Sequence, residues 1–412
     1  MKHIGIILLA WTFLAMSATL AQADLDTLPL GTSPLRMSLA TVAEGKMVRT
    51  VDLQEVGVDD IVSQNPDTDV FIIGEFHDNY ACHAFQRDFI EALYRRHPKL
   101  IVGFEFFTRD QNEYLAAWRS GTISEAELLE RTEWYERTGQ NFGFTRLIMD
   151  FIRENGIQTI GLNVPRDMVR IVSTQGFDKL PPEHQRLFPT LDMPNPDHEY
   201  YIKTIFGETA VKMDAWFTNM YAAQKCWDVI MAESMRELLA RDEYNGYKGV
   251  IIAGRAHVAY GLGIPFRYRQ AAPDVNLSLL IPVFAPETPE DGEEDESAHP
   301  MMKAMAGMTR PATVFSLGIG DYVFSVPRET GHYPTLGVML KFEAGALRVT
   351  HVNDDSLAAE AGLEEGDLIM TINGQSIQSL GHFRQEFAGL VWDEVLELDV
   401  RKKIKLRREQ EP

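Results

Sequence analysis

The sequence predicts an α/β fold, a mainly parallel sheet covered by helices on both faces, followed by a small mixed α+β domain. Two observations carry this reading. From about residue 65 to residue 327, short and almost uniformly apolar runs alternate with helix-like segments, the pattern of strands buried on both faces. After residue 333 the texture changes to short strands, a short helix and tight turns.

DVFIIG (69–74) is the first clear strand, and CHAFQRDFIEALYRRH (82–97) reads as the helix behind it. KLIVGFEFF (99–107) is the second strand, with a helical LAAWRSG region after it. FTRLIMDFIRENG (144–156) is an amphipathic helix stopped by Gly156, and IQTIGLNVPRD (157–167) is a third strand tipped by Pro165 and Arg166. A long helical region covers roughly 209–240. KGVIIAGRAHVAYGLG (248–263) and NLSLLIPVF (276–284) are the fourth and fifth strands, and DYVFSVP (321–327) returns to the same domain. Residues 24–65 show no dominant period. PETPEDGEEDESAHP (286–300), with seven acidic residues between Glu287 and Glu296, is a solvated loop by composition. The apolar MMKAMAGM (301–308) follows it. The domains are therefore drawn at 24–328 and 333–406.

The chain has 412 residues, 45% of them hydrophobic, which is enough for a sizeable core. A formal net charge of −21, part of it local to the acidic run, argues against a nucleic-acid binder, which needs a basic face for phosphates. MKHIGIILLAWTFLAMSATLAQA (1–23) has a basic start, an apolar stretch and the small-x-small ending Ala21-Gln22-Ala23, the form of an export signal. It ends without a cysteine for lipid attachment, so the expected protein is periplasmic or envelope-associated and not a lipoprotein. An uncleaved anchor is the competing reading of that segment. Cys82 and Cys226 are the only cysteines; spacing leaves open a single disulfide or two buried thiols.

Four strand tips carry polar groups: Gly74-Glu75-Phe76-His77, Gly103-Phe104-Glu105, Asn163-Val164-Pro165-Arg166 and Gly254-Arg255-Ala256-His257. The first and last share the spacing Gly-x-x-His. In a parallel sheet these tips gather at one edge, where α/β proteins bind ligands. Two histidines and a carboxylate (His77, His257 and Glu105) have the chemistry to hold a divalent metal such as zinc or manganese. Arginine and histidine can instead pair with carboxylates of an organic ligand. Each residue also has a plain structural role open to it: Glu105 as a cap or ion-pair partner, Arg166 as the neutraliser of Glu75. Tyr80 and His83 follow the first tip. Either can ligate haem iron, although surface exposure is the simpler expectation for both.

GEFHDN with His83, GFEFF with RDQ at 109–111, GLNVPRDMVR at 161–170, AAQKCWDVIMAESM at 222–235 and GRAHVAYGLGIP at 254–265 resemble the ChaN-like haem-binding uptake proteins of the Tiki and TraB group. The resemblance implies an exported α/β protein that binds haem, with Tyr80, Tyr221 and Tyr260 all near the motifs as candidate axial ligands. It implies haem contacts from His77, His83, Tyr80, Glu105, Arg166, His257 and Tyr260. The wider group implies a rival, a metal-dependent hydrolase in which His77, Glu105 and His257 hold the metal, Glu75 is the general base and Arg166 stabilises an oxyanion. The segment GVMLKFEAGALRVTHVNDDSLAAEAGLEEGDLIMTINGQSI resembles a PDZ domain, with Leu336-Gly337-Val338 at the carboxylate-binding loop. Such a domain takes a C-terminal peptide as an added strand. The expected partners are haem, the C-terminal peptide of an envelope protein and, in a homodimer, a second copy of the chain. A scaffold with a vestigial crevice, acting through the PDZ segment alone, is the third reading.

Overall fold

A computed structural model describes residues 25–286, 312–328, 332–389 and 395–402. The export-type segment, the acidic run beyond Pro286 and the methionine-rich stretch lie outside these residues. By packing, the chain forms two compact units, residues 1–122 with 150–328 and residues 123–149 with 329–412. No described helix is long and apolar enough to cross a membrane.

The first unit is built on a seven-stranded sheet. Its strands are β2 (Met47–Arg49), β3 (Val70–Glu75), β4 (Leu100–Thr108), β5 (Gln158–Asn163), β6 (Lys248–Gly254), β7 (Leu277–Phe284) and β9 (Tyr322–Val326), in the order β2-β9-β7-β3-β6-β4-β5. All neighbours are parallel except the β2–β9 pair. β1 (Leu39–Ala43) pairs with β8 (Ala312–Ser316) in a separate antiparallel ribbon. The central strands are buried along their length, as a sheet flanked by helices requires. The flanking helices are α1 (Val58–Gln64), α2 (Tyr80–Arg96), α3 (Asn112–Arg119), α7 (Arg166–Gln175), the short α8 (Pro182–Gln185), α9 (Pro196–Lys212), α10 (Asp214–Leu239) and α11 (Ile264–Ala271). The long helical region foreseen at 209–240 is two helices, because Met213 leaves helical geometry between α9 and α10.

Register decides where the site forms. β3 and β6 pair so that Gly74 lies opposite Ala253 and Glu75 opposite Gly254. The two Gly-x-x-His tips, nearly two hundred positions apart in sequence, therefore leave the sheet side by side. β4 follows β6 only as far as Phe104, and its pairing with β5 shifts between Phe104 and Thr108. That irregularity releases Glu105 from the ladder and turns it toward the β6 tip, a common use of bulges beside functional sites.

In the second unit, β10 (Val338–Glu343), β11 (Ala346–Val352), β12 (Leu368–Ile372) and β13 (Gln375–Ser376) lie in that order, and β14 (Leu398–Arg401) pairs with β12. Leu347, Val349, Ile369, Ile372, Ile377 and Phe383 form its core, under α12 (Leu357–Glu360) and α13 (Leu380–Ala388). Residues 123–149 belong with this unit by packing, although chain order places them inside the first domain. They contain α4 (Glu125–Arg131), α5 (Trp134–Arg137) and the start of α6 (Phe142–Asn155). The Arg384 guanidinium donates to the Tyr135 carbonyl at 3.0 Å, and the Phe144 and Tyr333 rings meet edge to face at 4.8 Å.

Gly161 in β5 tests the crowding next to the β4 irregularity. A Cβ there would overlap the Thr108 carbonyl oxygen and lie 2.7 Å from the Phe107 carbonyl carbon, both backbone atoms that cannot rotate away. Gly161→Ala is expected to cost about 1–3 kcal/mol, the usual range for overpacking, measured by urea unfolding; an unchanged midpoint would show that the strand shifts freely.

Candidate functional site

His77 and Glu105 meet over Gly254, and Glu105 links the pair to His257. A Cβ on Gly254 would lie 2.8 Å from His77 Cε1 and 3.4 Å from Glu105 Oε2, so only glycine lets the ring and the carboxylate close on the β6 tip. The Gly254 N–H donates to Glu105 Oε2 at 2.6 Å, and Glu105 Oε1 lies 3.5 Å from His257 Nε2. His257 Nδ1 is 2.6 Å from Asp228 Oδ1, and the Gln224 side-chain amide approaches the same nitrogen at 2.9 Å. Gln224 and Asp228 are four apart on α10 and so share its face. Beyond Asp228, His198 Nε2 lies 3.4 Å from the second carboxylate oxygen.

These groups are buried, and their ionisation follows from their neighbours. Burial alone would push the His257 imidazole down, but Glu105 and Asp228 outweigh it and raise its pKa to about 10. Burial likewise opposes ionisation of Glu105, yet the His257 charge, His77 and the Gly254 N–H bring it down to about 2. His198 goes the other way, to about 4, because burial dominates the attraction of Asp228. His257 is therefore a cation held between two carboxylates, and His198 is neutral.

The first tip is organised differently. His77 Nδ1 is 2.9 Å from Glu75 Oε1, and Gln86 Nε2 donates to Glu75 Oε2 at 2.8 Å. Burial pushes the Glu75 carboxyl up, but His83 and His77 outweigh it and hold it below its usual range. The His77 pKa is raised against its own burial by Glu75 and Glu105. His77 keeps 27% of its side chain exposed, stands 4.8 Å from the Phe106 ring, and its Nε2 has no hydrogen-bond partner among the described residues.

Several expectations change. His83 is buried rather than exposed, with Nε2 bonded to the His77 carbonyl at 3.1 Å, because α2 starts at Tyr80 and turns it back under the tip. Tyr80 is half-buried at the head of α2, and Arg166 is exposed on the first turn of α7. The guanidinium that accompanies the second motif is Arg255. Glu75 is 3% exposed and has both oxygens engaged, which does not suit a general base. The Tyr260 hydroxyl donates to the Leu25 carbonyl at 2.8 Å and accepts from the Leu28 N–H at 3.0 Å, while Tyr221 lies 3.5 Å from His198 Nδ1. His77, Glu105 and His257 do converge, but as an ion-paired cluster. Among the described residues no group of three His, Cys, Asp or Glu side chains has the spacing to hold a metal ion. Cys82 and Cys226 are buried free thiols, not a disulfide. Sequence reasoning passed over Asp228, Gln224 and His198. The available signal was Asp228 itself, a carboxylate directly followed by the apolar run Val229-Ile230-Met231.

In the second unit, Gly337 has φ +74° and packs on Ser356, while the Leu336 and Gly337 carbonyls accept from Ala358 and Asn353 at 3.0 and 2.9 Å. This pins the Leu336-Gly337-Val338 loop beside β10, which has β11 as its one pairing partner among the described strands.

The first unit is thus an α/β protein with an imidazole–carboxylate cluster at the carboxyl ends of parallel strands, and the second is a small β-rich domain. Residues 61–267 match the family described as haem-binding uptake, Tiki superfamily, ChaN, and the chain belongs to it. Residues 348–402 match the PDZ domain family. No curated protein matches the chain. Among solved structures it is similar to one described as cofacial heme binding to ChaN of Campylobacter jejuni, at 15% identity over 68% of this chain and 95% of that one, with a TM-score of 0.48. It is also similar to a mutant of the erythromycin esterase EreC in its open conformation, at 13% identity over 70% and 97%, TM-score 0.38, and to a Bacillus cereus protein at 10% over 66% and 92%, TM-score 0.35.

The charge on His257 sets a pH dependence. Its folded pKa, about 10, lies above the ordinary 6.5, so its ion pairs stabilise the fold fully below pH 6.5 and that contribution is lost as pH rises through about 10. Unfolding free energy should therefore fall across this window, and His257→Gln should remove that component. In Asp228→Asn, the His257 NMR titration midpoint should move down from about 10 toward 6.5; a midpoint that stays put would show that Asp228 does not hold the charge.

Proposed function

We propose that this chain is an exported haem-binding protein whose crevice at the β3, β6 and β4 tips takes haem and whose PDZ domain takes the C-terminal peptide of an envelope partner. The observation that carries the haem reading, beside family membership, is His77. It is the motif histidine whose side chain stays partly exposed, with Nδ1 anchored by Glu75 as ligating histidines usually are. The donor set fits: an oriented imidazole, a neighbouring aromatic ring and flanking charged groups. Bound haem would supply an iron centre, and His77 would be the nitrogen donor that holds it. Glu75 and Gln86 fix the His77 ring, while Glu105 and His257 close the far wall. Tyr260 is not a ligand in this arrangement, because its hydroxyl is engaged on both sides. The segment 1–23 supports export, with processing at Ala23 checked by N-terminal sequencing.

One observation also favours a hydrolase: the Glu75–His77 pair is equally a carboxylate-oriented base, with His77 rather than Glu75 accepting the proton. Haemin titration separates the two. The wild-type chain should develop a saturable Soret band, His77→Ala should lose it, and Glu75→Gln should weaken binding by about tenfold, the scale of an orienting partner's loss. Undiminished binding in His77→Ala would remove His77 from the ligand set, and no saturable band in any variant would leave the hydrolase reading.

The PDZ reading rests on the pinned Leu336-Gly337-Val338 loop and the β10 edge, which suit capture of a carboxylate with strand addition. Free-carboxyl peptides ending in an apolar residue should bind and their amidated counterparts should not. Gly337→Val, forced into a φ near +74°, should abolish binding without unfolding the first unit. Equal binding of amidated peptides would refute carboxylate capture.

A further inference from the structure

Arg255, the second residue of the Gly254–His257 tip, is 5% exposed and pairs through Nη2 with Asp26 Oδ1, a close contact inside the protein. Its Nε is buried with no partner among the described residues. The guanidinium lies 5.8 Å from the Phe76 ring, Phe76 stacks on Phe284 at 3.7 Å, and Arg328 sits over Phe284 at 4.7 Å. The C-terminal ends of β3, β6, β7 and β9 thus carry two guanidinia and a stacked aromatic pair, and the Asp26 carboxylate feels both guanidinia.

That carboxylate comes from a strap outside the family-matched region. Leu25 and Leu30 bury their side chains, Tyr260 holds the Leu25 carbonyl and the Leu28 N–H, and the Gly31 N–H donates to Asp197 at 3.1 Å. Gly31 has φ +82°, and a Cβ there would lie 2.6 Å from the Tyr260 carbonyl oxygen, so the strap is fitted closely to the turn after His257. Asp26 is a poor match for what it touches. A guanidinium offers its Nε and Nη2 hydrogens as a fork to two oxygens of one carboxylate, and Asp26 engages only one arm. Burial outweighs Arg255 and Arg328 at Asp26 and raises its pKa to about 6, so its charged form is held at a cost.

We propose that Arg255, with Arg328 and the Phe76–Phe284 pair, forms a carboxylate-binding subsite for an aromatic acid, and that Asp26 is a tethered stand-in which the ligand's carboxylate displaces. Resting on the haem reading, that carboxylate is a haem propionate. The incoming group completes the fork on Nε and Nη2, rests its apolar body beside the phenylalanine pair, and releases Asp26 toward water.

The test uses the full chain and two kinds of probe. Benzoate is titrated while the Arg255 side-chain Nε–H resonance is followed by NMR, assigned by its loss in Arg255→Gln. Haemin and haemin dimethyl ester, whose propionates are blocked, are titrated by absorbance. The benzoate shift should saturate, and Asp26→Asn, which removes the competitor, should tighten it at least threefold. The same variant should tighten haemin, leaving the ester unchanged. Far-UV circular dichroism verifies the fold of each variant, and Asp26→Asn keeps the test decisive where Arg255→Gln does not fold. An Arg255 resonance that benzoate does not move in either wild type or Asp26→Asn overturns the subsite, whatever haemin does. A saturating benzoate shift without a Soret band for either porphyrin removes the haem reading and leaves the aromatic-acid subsite standing. Equal tightening of haemin and its ester in Asp26→Asn would overturn the propionate assignment.

Discussion

The architecture depends on burying an ionised imidazole. Taking a charge out of water costs several kcal/mol even after relaxation, and His257 has that cost offset by carboxylates on two sides. Glu105 reaches it from the β4 irregularity and Asp228 from α10. Neither carboxylate could be buried there without the cation, and the cation could not be buried without both. The remaining contacts serve the same balance: the Gly254 N–H bonds Glu105, and a neutral His198 lies beside the outer oxygen of Asp228 without adding charge. Such a cluster rewards one arrangement of three separate chain segments. It ties the helix layer to the sheet at the point where the sheet would otherwise end in open turns.

The same balance divides labour between two motifs of identical spacing. At the second tip both ring nitrogens of His257 face carboxylates, so the residue acts as a fixed positive charge. At the first tip Glu75 takes one nitrogen of His77, and the side chain stays partly exposed. The difference does not come from the motif. It comes from α10, which supplies Asp228 to one tip, and from α2, which supplies Gln86 and His83 to the carboxylate behind the other.

What was readable in the sequence follows from the range of the forces involved. Apolar runs such as FII (71–73) and VII (250–252) announce strands because burial on both faces leaves no polar alternation. Parallel strands place their tips at one edge, so the meeting of His77, Glu105 and His257 was foreseeable. Their ionisation was not, since it depends on Asp228, a residue whose partner is set by helix docking rather than by spacing. Arg166 illustrates the converse. It occupies a strand tip in sequence, yet Pro165 starts a helix there and carries it outward, while Arg255 points inward from a tip read mainly for its histidine. Residues 123–149 were unreadable as part of the second unit because packing across two hundred positions leaves no local signature. The strands β1, β2 and β8 escaped notice for a plainer reason: each is at most five residues long and partly exposed.

Why one four-residue tip can serve two kinds of chemistry follows from the geometry of an extended chain. Successive residues at the end of a strand project to opposite sides. Gly254 presents its open face to His77 and Glu105, and Arg255 projects to the other side, among Phe76, Asp26 and Tyr260. The chain then turns through a short helical segment, Arg255–His257, and brings the imidazole back to the carboxylate side. A cation on each side of one strand end is tolerable only because each has its own carboxylate, Asp26 on one side and Glu105 with Asp228 on the other. The two sides differ in how well that need is met. His257 has both nitrogens matched, whereas Arg255 has one arm of its fork matched by a carboxylate that is itself reluctant to ionise. The well-matched side is structural, and the poorly matched side is where an external anion has something to gain.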